Sequence, residues 1–294
     1  MKYFVLALVA LVQLSCATQN PSSNEDKSMK ALIKKEQHVY IENQTIDDVI
    51  DFTSFLEKHL VSEGVYQVNV KSGISFKKCV FNKPVRAFKK MEDGSVILTS
   101  FQGNVSFIDC IFMEDVNFRG SSIVGRTDFT GSTFNKSANF EELNCHEKAF
   151  FNTCIFEGSL RFQNAFFNQN ANFMSAEFYD TISFQSSLFN SELQFSAGKF
   201  YKYADLTLID CRGKVLFNYA DFRGKADLSH SIFAQDFDFI STKNKITSFN
   251  NCRFLGKVRF NKMEVSSALS IKGSYFLLGT PEIDIPSEKL MISK

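Results

Sequence analysis

The groups in this chain that could carry chemistry are seven cysteines, four histidines and a recurrent row of Asp and Asn. Cysteines invite two readings, disulfides in an oxidising compartment or a thiolate cage for zinc. A cage needs ligands clustered at short spacing, and Cys79, Cys110, Cys145, Cys154, Cys211 and Cys252 are scattered singly. His38, His59, His146 and His230 stand apart from any nucleophile, acid or ligand at the spacing catalysis requires. The row Asp128, Asn139, Asn172, Asp205, Asp221 and Asp227 would matter to a polysaccharide-cleaving enzyme, in which two carboxyl groups flank the scissile bond. No opposed pair stands out from the row, and no phosphate-cradling glycine loop or metal-binding cluster accompanies it. The expectation is a chain without catalytic residues, metal or cofactor.

What positions these residues is a spacing that belongs to neither a helix nor an ordinary strand. The stretch FMSAEFYDTISFQSSLF sets Phe173, Phe178, Phe184 and Phe189 five, six and five residues apart, whereas a helix repeats at 3.6 and a strand at 2. The alternation runs without a slip from Phe107 to Phe239, with Ile123, Cys145, Leu206, Cys211 and Leu228 standing in for Phe. Two positions before each central residue the side chain is mostly small or aliphatic, as at Val116, Ala138, Ala149, Ala171 and Ala176. On an extended segment those two positions share a face, so each step is one short side of a coil with both residues inward. Most of the 14 glycines fall two positions after a central residue, where a corner needs a tight turn or a positive φ. Four steps make a coil of 22 residues, and no two of the six cysteines lie one coil apart. They are expected to serve as small buried apolar residues. The Asp and Asn row falls in the outward slot, where solvation accounts for it.

These units resemble the pentapeptide-repeat family, whose pattern reads small residue, Asp or Asn, Leu or Phe, polar, Gly: here ADFRG (220–224), VNFRG (116–120) and ANFMS (171–175). The resemblance covers residues 96–276. It implies an all-β fold, a right-handed quadrilateral β-helix of about eight coils and on the order of 40 Å long. The alternating step departs from a strict five-residue period and predicts two enlarged corners on every coil. Leucine-rich repeats share the 22-residue period, but their signature is absent. One irregularity is expected after Phe239, where the next central residue but one, Phe249, comes ten rather than eleven residues on.

The ends read differently. Lys2, an apolar run from Tyr3 to Val12 and small residues around Cys16 form an export signal. Leu14, Ser15 and Cys16 resemble the lipobox of bacterial lipoproteins, with Gln13 where Leu is usual; lipidation at Cys16 competes with ordinary cleavage after Ala17. The expected organisation is a signal over 1–16, a flexible tether over 17–40, a cap or irregular first coil over 41–70, the β-helix over 71–280 and a tail over 281–294. Within 41–62, Ile41, Ile46 and Phe52 keep the ladder step, yet Thr45 with Val49, Phe52, Leu56 and Leu60 also suits an N-capped helix. NKPVRAFKKMEDGS (82–95) is expected to protrude as a loop.

Thirty-three basic and 32 acidic residues give a formal charge of +1, so no global field favours nucleic acid or imitates it. Outward slots that break the polar rule are the candidates for a partner surface. Tyr179 and Tyr201 lie one coil apart on one side, and Phe166, Leu188 and Ile232 share a position on another. The sequence therefore points to a non-enzymatic, lipid-anchored protein of the bacterial cell envelope, facing the periplasm or the cell surface, whose rod binds a protein or a glycan. Two other readings were weighed: family members protect DNA gyrase by imitating duplex DNA with an acidic rod, and other β-helices cleave polysaccharides.

Overall fold

The computed structural model describes residues 29–292. It is a β-solenoid in which each coil contributes four short strands. Ala171–Asn172, Glu177–Phe178, Ile182–Ser183 and Leu188–Phe189 are the four sides of one coil. Each strand pairs in parallel with its counterpart one coil away, as Ala171 with Leu193 and Glu177 with Lys199. The first sides form a ten-stranded sheet from Val39–Glu42 to Val258–Arg259, the fourth sides lie in a twelve-stranded sheet, and the second and third sides share one of 18 strands. Ten stacked strands at the spacing of a parallel sheet make a rod on the order of 45 Å long.

The core is a set of columns. Every central residue named from the sequence between Phe107 and Phe239 is buried, and so are the small residues two positions before them. Because the register is fixed at one coil, like side chains stack on like. The rings of Phe151 and Phe173 are 5.0 Å apart and 6° from parallel, those of Phe167 and Phe189 4.9 Å and 3°. Neighbouring columns meet edge to face, as Phe173 meets Phe184 at 5.1 Å and 84°. Both arrangements suit the aromatic quadrupole. The small slot adds a polar ladder: Ser132 Oγ donates to Phe107 O at 2.7 Å and accepts from Cys110 N at 2.9 Å, and Ser187 does the same with Phe162 O and Ala165 N.

The two step lengths are two kinds of corner. After the first and third sides the five-residue step closes a tight turn, with Leu143 N donating to Phe140 O at 3.2 Å and Glu142 at φ 57°. That left-handed position is what a type II turn requires. It recurs every eleven residues at Thr153, Asn164, Ser175, Ser186, Ala197, Leu208, Tyr219 and His230. The six-residue steps after the second and fourth sides are the enlarged corners. Most corner glycines sit at these and not at the left-handed position, which corrects the φ > 0 argument for them: only Gly120, Gly131 and Gly273 of that set have positive φ. At Gly224 the reason is close approach instead, since a Cβ there would lie 1.9 Å from Lys202 O.

The solenoid reaches further toward both ends than the ladder alone indicated. Residues 41–62 resolve in favour of an early coil, with strands Val39–Glu42, Thr45–Ile46 and Ile50–Asp51 and Phe52 buried. The helix lies earlier, at Met29–Lys34, inside the span read as tether, and buries Ile33 against the first coil. The 82–95 segment is only partly a loop: Val85 and Ala87 are buried in the second coil, and Phe88–Lys90 turns back as a hairpin on Val96–Phe101. A second hairpin, Lys58–Ser62 on Val65–Val70, ends the twelve-stranded sheet. Residues 281–292 are not a free tail. Ile283 bridges Phe260, and Leu290–Met291 pairs with Leu269 and Ser270, closing the last coil. The short coil after Phe239 loses its residue between the second and third sides, where Lys243–Ser248 runs straight through the corner with a register shift. Asn244 there replaces the ring of its column, donating to Thr242 Oγ1 at 2.8 Å and accepting from Thr247 Oγ1 at 3.2 Å.

Phe184 has no exposed surface and stacks on Phe162 at 4.9 Å. Phe184→Ala is expected to cost about 3–5 kcal/mol, and Phe184→Asp, which strands a charge in the column, to prevent folding. Circular dichroism and gel filtration check this; a soluble, fully folded Phe184→Asp protein would show that the inward assignment is wrong.

Candidate functional site

The second side carries the most ordered outward chemistry. On each of its strands the residue before the buried central one points out. Pairing aligns Glu177, Lys199, Asp221, Lys243 and Glu264 in one row along five successive coils. Their signs alternate. Lys199 Nζ lies 2.7 Å from Glu177 Oε1, while Lys243 reaches Glu264 only at 3.8 Å. A second row, on the far side of the Phe column, holds Tyr179, Tyr201 and Arg223. The two rings stack at 4.4 Å and 9°, and the Arg223 guanidinium covers the free face of Tyr201 at 4.5 Å. Cross-links join the rows: Tyr179 donates its hydroxyl to Glu177 at 2.8 Å, and Arg223 Nε donates to Asp221 at 2.8 Å. Donation from Lys199, and then from Tyr179, holds the Glu177 carboxyl below its usual range. Accepting the Tyr179 hydroxyl, Glu177 in turn raises that phenol.

Tyr179 and Tyr201 are thus brought together as the sequence proposed, both half-buried. Arg223, which completes their column, was missed although it lies a further 22 residues on; the search for like residues passed over a cation that stacks as a ring does. At the end of this face the short coil and the closing segment leave a groove of about 610 Å³ between Arg223, Lys243, Lys245 and Asp284.

On the fourth side Phe166 pairs with Leu188, but Asp210 separates Leu188 from Ile232, and all three apolar residues are half-buried. Beside them runs a hydrogen-bonded ladder in which Asn190 donates to Asn168 Oδ1 at 3.2 Å and Arg212 to Asn190 Oδ1 at 3.1 Å. This column is an interrupted stripe and not a patch. The first side has an outward aromatic that the sequence reading did not single out, Phe150, with Arg126 over its ring at 4.1 Å.

The groups that opened the chemical question have structural roles. Cys79, Cys110, Cys145, Cys154, Cys211 and Cys252 are all unpaired and buried. Cys154 and Cys252 donate to Phe129 O and Leu228 O, at 2.9 and 3.1 Å, from the slot Ser uses elsewhere. The outward Asp and Asn residues fold over their own corners. Asp128, Asn139, Asn172, Asp205 and Asp227 each accept from the backbone N–H two residues on, at 2.9–3.1 Å, the Asx arrangement that supports a turn. Asp221 is the exception, held by Arg223. Among the described residues no group of His, Cys, Asp and Glu could hold a metal ion, and no helix is long and apolar enough to cross a membrane. Cys16 lies outside the described residues.

The coupling within the charged row is testable by titration. Glu177 has its folded midpoint lowered, so what Lys199 contributes is present above the ordinary carboxylate range and is lost as pH falls through the folded midpoint. Lys199→Met is expected to raise the Glu177 midpoint in a carboxyl NMR titration, with little effect on stability at neutral pH because the pair is solvent-screened. An unchanged midpoint would mean the ion pair does not form in solution.

Comparison with known proteins bears on the repeat. Residues 98–143 match the family model described as pentapeptide repeats (9 copies). No curated protein gives a significant match. Among solved structures, QnrB1, a plasmid-mediated fluoroquinolone resistance protein, aligns at 13% identity over 78% of this chain and 92% of its own, with a TM-score of 0.17. The coils that follow keep the 22-residue pairing of the matched segment, as Val116 with Ala138 and Ala171 with Leu193, whereas the coil before it pairs at 31 residues, as Ile74 with Val105. The chain is thus a β-solenoid of four-sided coils, within which residues 98–143 are similar to pentapeptide repeats.

Proposed function

We propose that the chain is an exported, lipid-anchored scaffold of the bacterial cell envelope, without enzymatic activity, whose second side binds another protein. The observation that carries the binding reading is the column of Tyr179, Tyr201 and Arg223 beside the alternating charges of Glu177, Lys199 and Asp221. Aromatic and Arg side chains held rigid on a regular surface lose little freedom on binding, which is why they are enriched at the centres of protein interfaces. Tyr201 is covered on both faces, by Tyr179 and by Arg223, which leaves edges and charged tips outward and suits a protein better than a sugar, which stacks on an open face. An alternating row also differs from the continuous anionic track that imitation of duplex DNA requires. The anchor rests on Leu14, Ser15 and Cys16 in the sequence.

Palmitate labelling with membrane fractionation in a bacterial host, comparing the natural chain with Cys16→Ser, tests the anchor. Label and membrane association that vanish together in Cys16→Ser are expected. Unlabelled protein in the periplasm would remove the anchor, and retention in the cytoplasm would remove the envelope reading and favour an intracellular target such as gyrase.

A further inference from the structure

We propose that the partner of the second side is a second copy of this chain, docked face to face and antiparallel through the charged rows; the inference rests on that side being the interaction surface. The argument is one of symmetry. A two-fold axis lying across the face, midway between the coils of Lys199 and Asp221, reverses the order of the coils and keeps each outward row opposite itself. Glu177 then faces Lys243 of the second copy, and Lys199 faces its Asp221. Every charge in the block Glu177, Lys199, Asp221 and Lys243 meets its opposite, because the signs alternate from one coil to the next. Shifting the axis by half a coil, onto the coil of Lys199, sets lysine against lysine and Glu177 against Asp221. The row therefore admits only axes that lie between coils.

The neighbouring rows fit the same axis. Tyr201, already covered on one face by Arg223 of its own chain, faces Arg223 of the second copy. At the adjoining corner Tyr219, which is 69% exposed, faces the small Ala197. A partner of a single sign would meet repulsion at alternate coils, and a partner of another architecture would lose register within a few residues. An identical rod has the same rise of about 4.8 Å per coil and stays matched along the whole block. The charges are solvent-exposed and the footprint spans four coils, so the association is weak and salt-dependent.

The test is a charge-swap experiment on the purified full-length chain in detergent, read by sedimentation velocity at low salt and at about 1 M salt, where screening acts within about 3 Å. The natural chain is expected to self-associate at low salt and to dissociate at high salt. Lys199→Glu alone sets two acids against each other twice across the axis, and Asp221→Lys alone sets two lysines together twice. Each is expected to weaken self-association at least about tenfold, with circular dichroism unchanged. Mixing the two variants restores every opposite pair and is expected to give a heterodimer. A monomeric natural chain at low salt, or a mixture that stays monomeric, would overturn the proposal. Loss of some other co-purifying protein on Tyr201→Ser, alongside a monomeric mixture, would overturn the second copy while keeping the face as a binding surface.

Discussion

Everything in this molecule depends on parallel pairing between successive coils, at an offset of 22 residues through the regular coils, 35 and 31 in the first ones and 21 around the short one. That pairing sets each backbone N–H and C=O against the neighbouring coil, so a coil alone would leave its polar groups open and its Phe residues exposed. It also fixes what the side chains must be. Neighbours one coil apart lie about 4.8 Å from each other, close to the separation at which flat rings stack, and Phe134 and Phe156 meet at 4.7 Å. A flat ring without a polar atom can repeat along such a column indefinitely. An indole would need a hydrogen-bond partner at every level, and the chain has 34 Phe and no Trp.

The same constraint turns the outer surface into ladders. A residue type placed outward is stacked on whatever stands one coil above and below, so like charges repel along the row and opposite charges pair. The alternation from Glu177 to Glu264, the amide chain of Asn168 and Asn190, and the tyrosine pair capped by Arg223 are three solutions to that one condition. The short coil shows what a deletion costs. With one residue missing, the second-side column cannot place its ring, and Asn244 fills the level with its amide bonded to Thr242 and Thr247. A buried amide is acceptable there because both of its polar atoms find partners.

The period, the inward columns and the central residue of each step from Phe107 to Phe239 were legible in the sequence because one rule governs them all, whereas Asp128, read as outward, is buried. The ends were less legible because there the rule is mixed with others. Thr45 to Leu60 carries helical and coil spacing at once, and the coil prevails because Ile50 pairs with Val85 in its column and Phe52 packs edge to face against Phe101 of the neighbouring one. The helix Met29–Lys34 has no strong pattern of its own and is held by Ile33 in the end of the stack. At the candidate site, Tyr179 and Tyr201 could be found by their type and spacing. Arg223 and the row from Glu177 to Lys243 stand at the same 22-residue spacing but change residue type at every coil, so a search for like residues passes over them. Phe166, Leu188 and Ile232 were correctly placed on one row, but the sequence reading did not weigh Asp210 between them.

The most direct test of the inward and outward assignment is a thiol count on the chain carrying Cys16→Ser, because the six remaining cysteines sample two of the four sides and both inward slots at several levels of the rod. All six are buried, and burial pushes Cys110 and Cys145 up to about 12. A disulfide reagent at about pH 8, which needs an exposed thiolate, is expected to find no fast-reacting thiol in the native protein and six after denaturation. Even one thiol that reacts at the native protein's surface within the mixing time would contradict the columns on which the whole account is built.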